Sequence, residues 1–149
     1  MSMENSTSLV SLAHFDRARH AIELAATIDE VKEIRDQAEA LRQYARQSRQ
    51  GLVMQNRCAE IKLRAERRGG EMLAVMPKHP PGPEPDQSHH VTEPPTLEDI
   101  GITRMQSSRW QAVASVPVER FEAYVKAPKD EELTTAGLLR QAHVAHNSG

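Results

Sequence analysis

Seven of the chain's nine prolines lie in one stretch, Pro77 to Pro95, which also contains His79, His89 and His90. Proline fixes φ and has no amide donor, so neither a helix nor a central strand can run through such a segment. A semi-extended, solvated linker is expected at 77–95. It divides the chain into a helical module over 9–76 and a second module over 96–145.

Aromatic residues make up only 3% of the chain and charged residues 27%. Helices built on Leu, Ile, Ala and Met tolerate that balance, whereas a β-sandwich needs more aromatic and β-branched residues. The predicted fold class is therefore all-α. The formal net charge of −2 rules out a generally basic, nucleic-acid-coating chain, so any electrostatic footprint must be local. Cys58 is the single cysteine, which excludes an intrachain disulfide and a thiolate-based structural zinc site. Met1 to Ser8 lacks the basic start and apolar core of a signal peptide, and no apolar run approaches a bilayer span. The expectation is a cytoplasmic protein with no membrane partner.

The first module reads as helices throughout. Leu12, Phe15, Ala18, Ile22 and Ala25 recur at helical steps. Thr27-Ile-Asp-Glu30 has the form of a capping box, and the stripe Val31, Ile34, Ala38, Leu41, Ala45, Ser48 follows it. A second stripe runs through Met54, Cys58, Ile61, Ala65, Arg68, Met72 and Val75, out of phase with the first. The break falls near Gly51. It corresponds to a turn between antiparallel helices or to a stutter in one rod, and the expected form is a helical hairpin. A narrow, alanine-containing stripe also suits a coiled-coil-like seam between two copies, so a homodimer is expected. Gly69-Gly70 marks either a hinge or a place where another helix comes close.

Beyond the prolines, helical segments are expected at Leu97–Ile100, Arg104–Ser115 and Val118–Lys126, with Pro117 at a helix start and Pro128 as a stop. Thr134 or Thr135 can cap a last helix over Ala136–Ala145. The first two segments form a helix-turn-helix-like pair around Gly101, with Ile100 and Ile102 inward and Thr103 as cap. Met105, Trp110, Val113 and Val116 are expected inward. Arg104, Ser108, Gln111 and Ser115 share the opposite face, bordered by Ser107 and Arg109. Arginine forks onto guanine, glutamine bridges an adenine edge, and serine reaches phosphates or bases, so double-stranded DNA is the expected partner of Thr103, Arg104, Ser107, Ser108, Arg109 and Gln111.

Charge tempers this reading. From Glu93 to Lys126 there are four basic and five acidic residues, so a single copy should bind weakly. Between Arg35 and Arg68 nine basic residues face four acidic ones, and Arg57, Arg64, Arg67 and Arg68 are candidate phosphate contacts. The histidines of the proline segment, with Asp86 and Glu93 nearby, sit where nothing preorganises metal ligands. Glycine-rich phosphate loops, nucleophile elbows and His-Glu-x-x-His are absent. Neither an enzyme, a metal nor a cofactor is expected.

Gly101-Ile-Thr-Arg-Met-Gln-Ser-Ser-Arg-Trp-Gln111, followed by Val116-Pro-Val-Glu-Arg-Phe121, resembles the helix-turn-helix of ParB-type partition proteins and their plasmid repressor relatives. The resemblance implies groove-facing or phosphate-facing roles for Thr103, Arg104, Ser108 and Arg109. It departs at Ser107, where that motif has an inward apolar residue. No partition-protein nucleotide-binding region is seen in the sequence, so a segregation clamp is not implied. With Ala59–Leu73 and Leu133-Thr-Thr-Ala-Gly-Leu-Leu139 added, the chain is similar to a largely uncharacterised family of helical proteins from bacterial, phage and mobile-element genomes. The leading expectation is a non-enzymatic, regulatory or DNA-organising DNA-binding protein. The alternative is an adaptor whose coiled-coil-like helices bind another protein, with a structural carboxy-terminal bundle.

Overall fold

The computed structural model describes residues 3–48, 51–76, 96–127 and 130–147, with side chains from 14 to 142 within those ranges. The proline segment 77–95, its histidines and Pro128 lie outside the described residues. Seven helices and no strand occur among those described: α1 (Met3–Leu24), α2 (Ile28–Gln47), α3 (Leu52–Val75), α4 (Leu97–Ile100), α5 (Arg104–Ser115), α6 (Val118–Lys126) and α7 (Thr135–Asn147).

Local sequence accounts for the boundaries. The Thr27 hydroxyl accepts the Glu30 amide at 3.3 Å and opens α2. The Glu30 carboxylate reaches one residue past the cap, accepting the Ala26 amide at 3.0 Å. One of the orphan amides of the first turn is thereby satisfied, together with the Ala26 amide just before the cap. Ser48 closes α2 and Gly51 opens α3, so the phase change near Gly51 corresponds to a break between two helices. The α2 and α3 axes run in opposite directions. Ion pairs fix this register, Arg35 to Glu66 at 3.2 Å and Glu39 to Lys62 at 3.0 Å, one partner rising in number as the other falls.

Helix α3 is central because two of its faces are buried. Ile61 and Ala65 join Val31 and Ala38 of α2 and Ile22 and Ala25 near the end of α1. A second face, carrying Ala59 and Leu63, packs with Val113, Val116, Phe121, Tyr124, Leu133 and Leu138. Leu73 meets Ile102 and Trp110. Side chains from 9–76 and from 96–145 thus meet along α3. Four short helices cannot enclose Trp110 and Phe121 without it, and burying a large apolar side chain is worth about 1.5–3 kcal/mol.

Gly69 and Gly70 permit the closest of these approaches. A Cβ on Gly70 would lie 2.5 Å from the Trp110 carbonyl carbon and 2.9 Å from the Ala114 Cβ. One on Gly69 would lie 2.9 Å from the Trp110 ring. Both glycines sit inside continuous α3, so the packing supports close approach rather than a hinge.

Beneath the α3–α5 contact lies a polar group that the sequence did not flag. Glu66 is 2% exposed. It accepts the Thr135 hydroxyl at 2.8 Å and the Arg35 Nε at 3.2 Å. The Arg35 guanidinium stands 5.9 Å from the Trp110 ring centroid. A buried carboxylate needs such partners, and here they tie α2, α3 and α7 to one point.

Candidate nucleic-acid interface

The α4–α5 pair is built from two capping boxes and a left-handed glycine. At α4, the Thr96 amide donates to Asp99 Oδ2 at 2.9 Å and the Asp99 amide to Thr96 Oγ1 at 3.2 Å. Gly101 ends α4 at φ 79°, a conformation costly for residues with a Cβ. The Ile102 amide then reaches back to the Leu97 carbonyl at 2.9 Å, and Gly101 to Glu98 at 3.1 Å, the paired bonds of a Schellman stop. Thr103 and Gln106 repeat the capping box at the start of α5, each bond 3.0 Å long. Three residues thus separate the helices. Ile102 is buried beside Trp110, with Leu97 and Ile100 packed against them, so α4 braces α5.

The face that α5 presents differs in part from the expected one. Thr103, Arg104, Ser108, Arg109 and Ser115 are exposed. Met105, expected inward, is 76% exposed. Ser107, expected at the border, is 7% exposed. Gln111, expected outward, is half-buried and donates to the Ser107 hydroxyl at 3.0 Å. The reason is angular. Trp110 and Val113 set the inward direction, Ser107 is three residues before Trp110, and Met105 is five before it, about 140° away around a helix. Of the six residues predicted to read DNA, four therefore cluster on the outer side of the first turns of α5. Arg104 and Arg109 make no side-chain hydrogen bond or ion pair with other described residues.

The α3 arginines are placed differently. Arg64 forks onto both oxygens of Glu122 at 2.8 and 3.0 Å while its Nε donates to Glu60 at 2.8 Å. The Arg64 fork, outweighing the smaller effect of burial, holds the Glu122 carboxyl down at about 2. The Arg67 Nη1 donates to the carbonyls of Val113 and Val116 at 3.1 and 2.7 Å, satisfying the carboxy-terminal end of α5. Its guanidinium also stands 4.9 Å from the Phe121 ring centroid. Arg68 donates to the Ala25 carbonyl at 3.2 Å and pairs with Glu71 at 3.5 Å. These three side chains are engaged within the fold. Arg57 is half-buried beside Val125 and Ala127 and has no hydrogen-bond or ion-pair partner among the described residues.

Elsewhere, burial pushes the Cys58 thiol above its ordinary value, against a smaller pull from Arg42, which disfavours a thiolate. Among the described residues no group of three His, Cys, Asp or Glu could hold a metal ion. No helix among them is long and apolar enough to cross a membrane. Comparison with protein-family models, curated proteins and solved structures returns no match to the chain.

Two signals in the sequence could have located more of this arrangement. Thr103-Arg-Met-Gln106 has the spacing of a capping box, with Thr at the cap and Gln three residues on. Gly69-Gly70 in a helix, with Ala and Leu on a second face, indicates a helix contact on both sides of α3.

Proposed function

We propose that this is a non-enzymatic DNA-binding protein that reads duplex DNA with α5, regulating or organising a DNA site in the cytoplasm. One observation supports it above the others: two arginines without carboxylate partners among the described residues stand beside Ser108 on the exposed start of a doubly capped helix, while three of the four candidate arginines on α3 are engaged internally. A guanidinium left unpaired and solvated keeps its donor fork for a base edge or a phosphate. In this reading α4 and α5 act as a helix-turn-helix, α2 and α3 as a helical hairpin, and 77–95 as a linker. Two copies pair to offset the weak binding of one. The partition-protein likeness is taken as local to the segment around α5.

The test is fluorescence anisotropy of the full chain against duplexes from DNA flanking its coding region and scrambled controls, at low and near-physiological salt. Preference for the flanking duplexes is expected, and Arg104→Ala or Arg109→Ala should erode it by about tenfold where a base contact is lost. Equal, salt-sensitive binding to both sets would reject sequence reading.

A protein adaptor is the second reading, favoured by a specific feature. Met105 is exposed in the middle of the α5 face, and an apolar groove between α1, α2 and α3 is lined by Phe15, Ile34, Leu41, Tyr44 and Met54. Contiguous exposed apolar surface commonly marks a protein contact. Absence of DNA binding at either salt favours this alternative.

A further inference from the structure

The charge balance of the carboxy-terminal segment looks unfavourable for DNA when counted along the sequence, yet its carboxylates are unevenly spread over its helices. Its carboxylates lie on α4, with Glu98 and Asp99, on α6, with Glu119 and Glu122 beside Arg120 and Lys126, and in the run Asp130-Glu-Glu132 before α7. Helices α5 and α7 contain no Asp or Glu at all, and they are the only two of the seven described helices of which that is true. They are also neighbours. Met105 and Arg109 of α5 and Ala136 of α7 line one cleft, with Glu66 beneath them.

Helix α7 continues this surface. Ala136 is exposed at the cleft, and Arg140, four residues on, shares its helical face and is exposed too. Arg140 has no hydrogen-bond or ion-pair partner among the described residues. Among the described residues the one carboxylate lining the cleft is Glu66, which Arg35 and the Thr135 hydroxyl hold and which Lys62 approaches at 3.9 Å. The acidic run Asp130-Glu-Glu132 precedes α7; its backbone is held by Asn56, which donates to the Glu131 carbonyl at 3.0 Å, and Arg46 pairs with Glu132 at 3.7 Å. Asn56 is ten residues from Glu66 on α3, roughly 15 Å along the helix axis.

We propose that α5 and α7 together form the duplex-binding face, with Arg140 of α7 contacting a backbone phosphate beside the groove that α5 enters. The proposal rests on the DNA-binding reading and deepens it. Base readout belongs to Arg104 and Arg109, and sequence-independent anchoring belongs to Arg140. Helix α4, whose charged residues are both carboxylates, braces α5 from behind through Leu97 and Ile100. A polyanion accepts a surface whose three arginines have no partner among the described residues, and whose one described carboxylate, Glu66, is buried, far more readily than the segment's summed charge suggests.

The experiment compares full-length wild type, Arg140→Ala, Arg104→Ala and Arg17→Ala by anisotropy on flanking and scrambled duplexes over a salt series. Arg17 is also exposed, lacks a described partner and lies on α1, so it controls for loss of net charge alone. Thermal unfolding of each variant verifies that folding is unchanged. Arg140→Ala should weaken binding to both duplex sets by the same factor, roughly three- to tenfold at low salt, and make the salt slope shallower by about one. Arg104→Ala should instead reduce the preference between the sets. If Arg140→Ala matches wild type, or loses no more than Arg17→Ala, the α7 assignment is overturned while α5 reading stands. If wild type binds no duplex, both fall together.

Discussion

Replacing Gly70 by alanine sets two well-understood effects against each other. In an exposed helix the change is stabilising by about 1 kcal/mol, because glycine has the lower helix propensity. Here the new Cβ would lie 2.5 Å from the Trp110 carbonyl carbon and 2.9 Å from the Ala114 Cβ. Ordinary carbon–carbon contact is about 3.5–4.0 Å, so α5 must retreat by roughly 1 Å. The obstacle is backbone, which no rotamer change relieves. Trp110 is 2% exposed and packs on the same helix, and a gap of that size forfeits about a quarter to a half of each contact's attraction. Overpacking of this kind costs about 1–3 kcal/mol or more, so a net loss of roughly 2 kcal/mol is expected after the propensity gain. For a chain of this length that corresponds to about 4–8 °C in Tm. Thermal unfolding by far-ultraviolet circular dichroism measures the loss, and emission from Trp110, the sole tryptophan, reports its exposure. Gly51→Ala is the control, since nothing lies within 4 Å of its Cβ position. A Gly70→Ala protein with unchanged or raised Tm would refute the close α3–α5 approach, because propensity alone would then have decided the outcome.

Other expectations follow from particular contacts. Glu66→Ala removes the carboxylate that holds Arg35 and Thr135 and should cost about 3–5 kcal/mol, read as a lowered midpoint in urea. Met105→Ser should change stability by less than about 0.5 kcal/mol, since the side chain is 76% exposed; a large loss would put it back in the core. The Glu122 carboxyl sits at about 2 in the fold through its Arg64 partner and titrates near 4.5 when unfolded. The unfolded chain therefore binds the proton first, and the pair's stabilisation, complete above that higher value, is lost as pH falls toward 2. Glu122→Gln should flatten the stability–pH curve in that window, and an unchanged acid slope would show that the pair contributes nothing there.

Much of the fold was legible in short-range chemistry. The caps at Thr27 and Thr103, the left-handed Gly101 and the all-helical pattern need only neighbours in sequence to be read. Thr134 rather than Thr135 caps α7, its hydroxyl accepting the Gly137 amide at 2.9 Å. What escaped depended on distant partners. One apolar stripe on α3 was visible, but its second face matters only because α5, α6 and α7 come to cover it. The outer face of α5 was misphased by Met105 for the same reason: residue type favoured burial, and only the position of Trp110 against Gly70 fixed the rotation. Glu66 resembles any helix-surface glutamate until Arg35 and Thr135 arrive from 31 residues before it and 69 after. Asn56, which accepts the Leu133 amide at 2.8 Å and donates to the Glu131 carbonyl, secures the approach to α7 across a comparable separation.

The central claim is that duplex DNA lies on the outer side of α5. Titrating isotopically labelled full-length protein with a flanking duplex and following its backbone amide and arginine side-chain resonances tests this most directly. The account predicts that the largest perturbations fall on Thr103, Arg104, Ser108, Arg109 and Arg140, with the engaged Arg64 and Arg67 unmoved. Perturbations centred on α2 and the groove around Tyr44, with α5 unchanged, would contradict it.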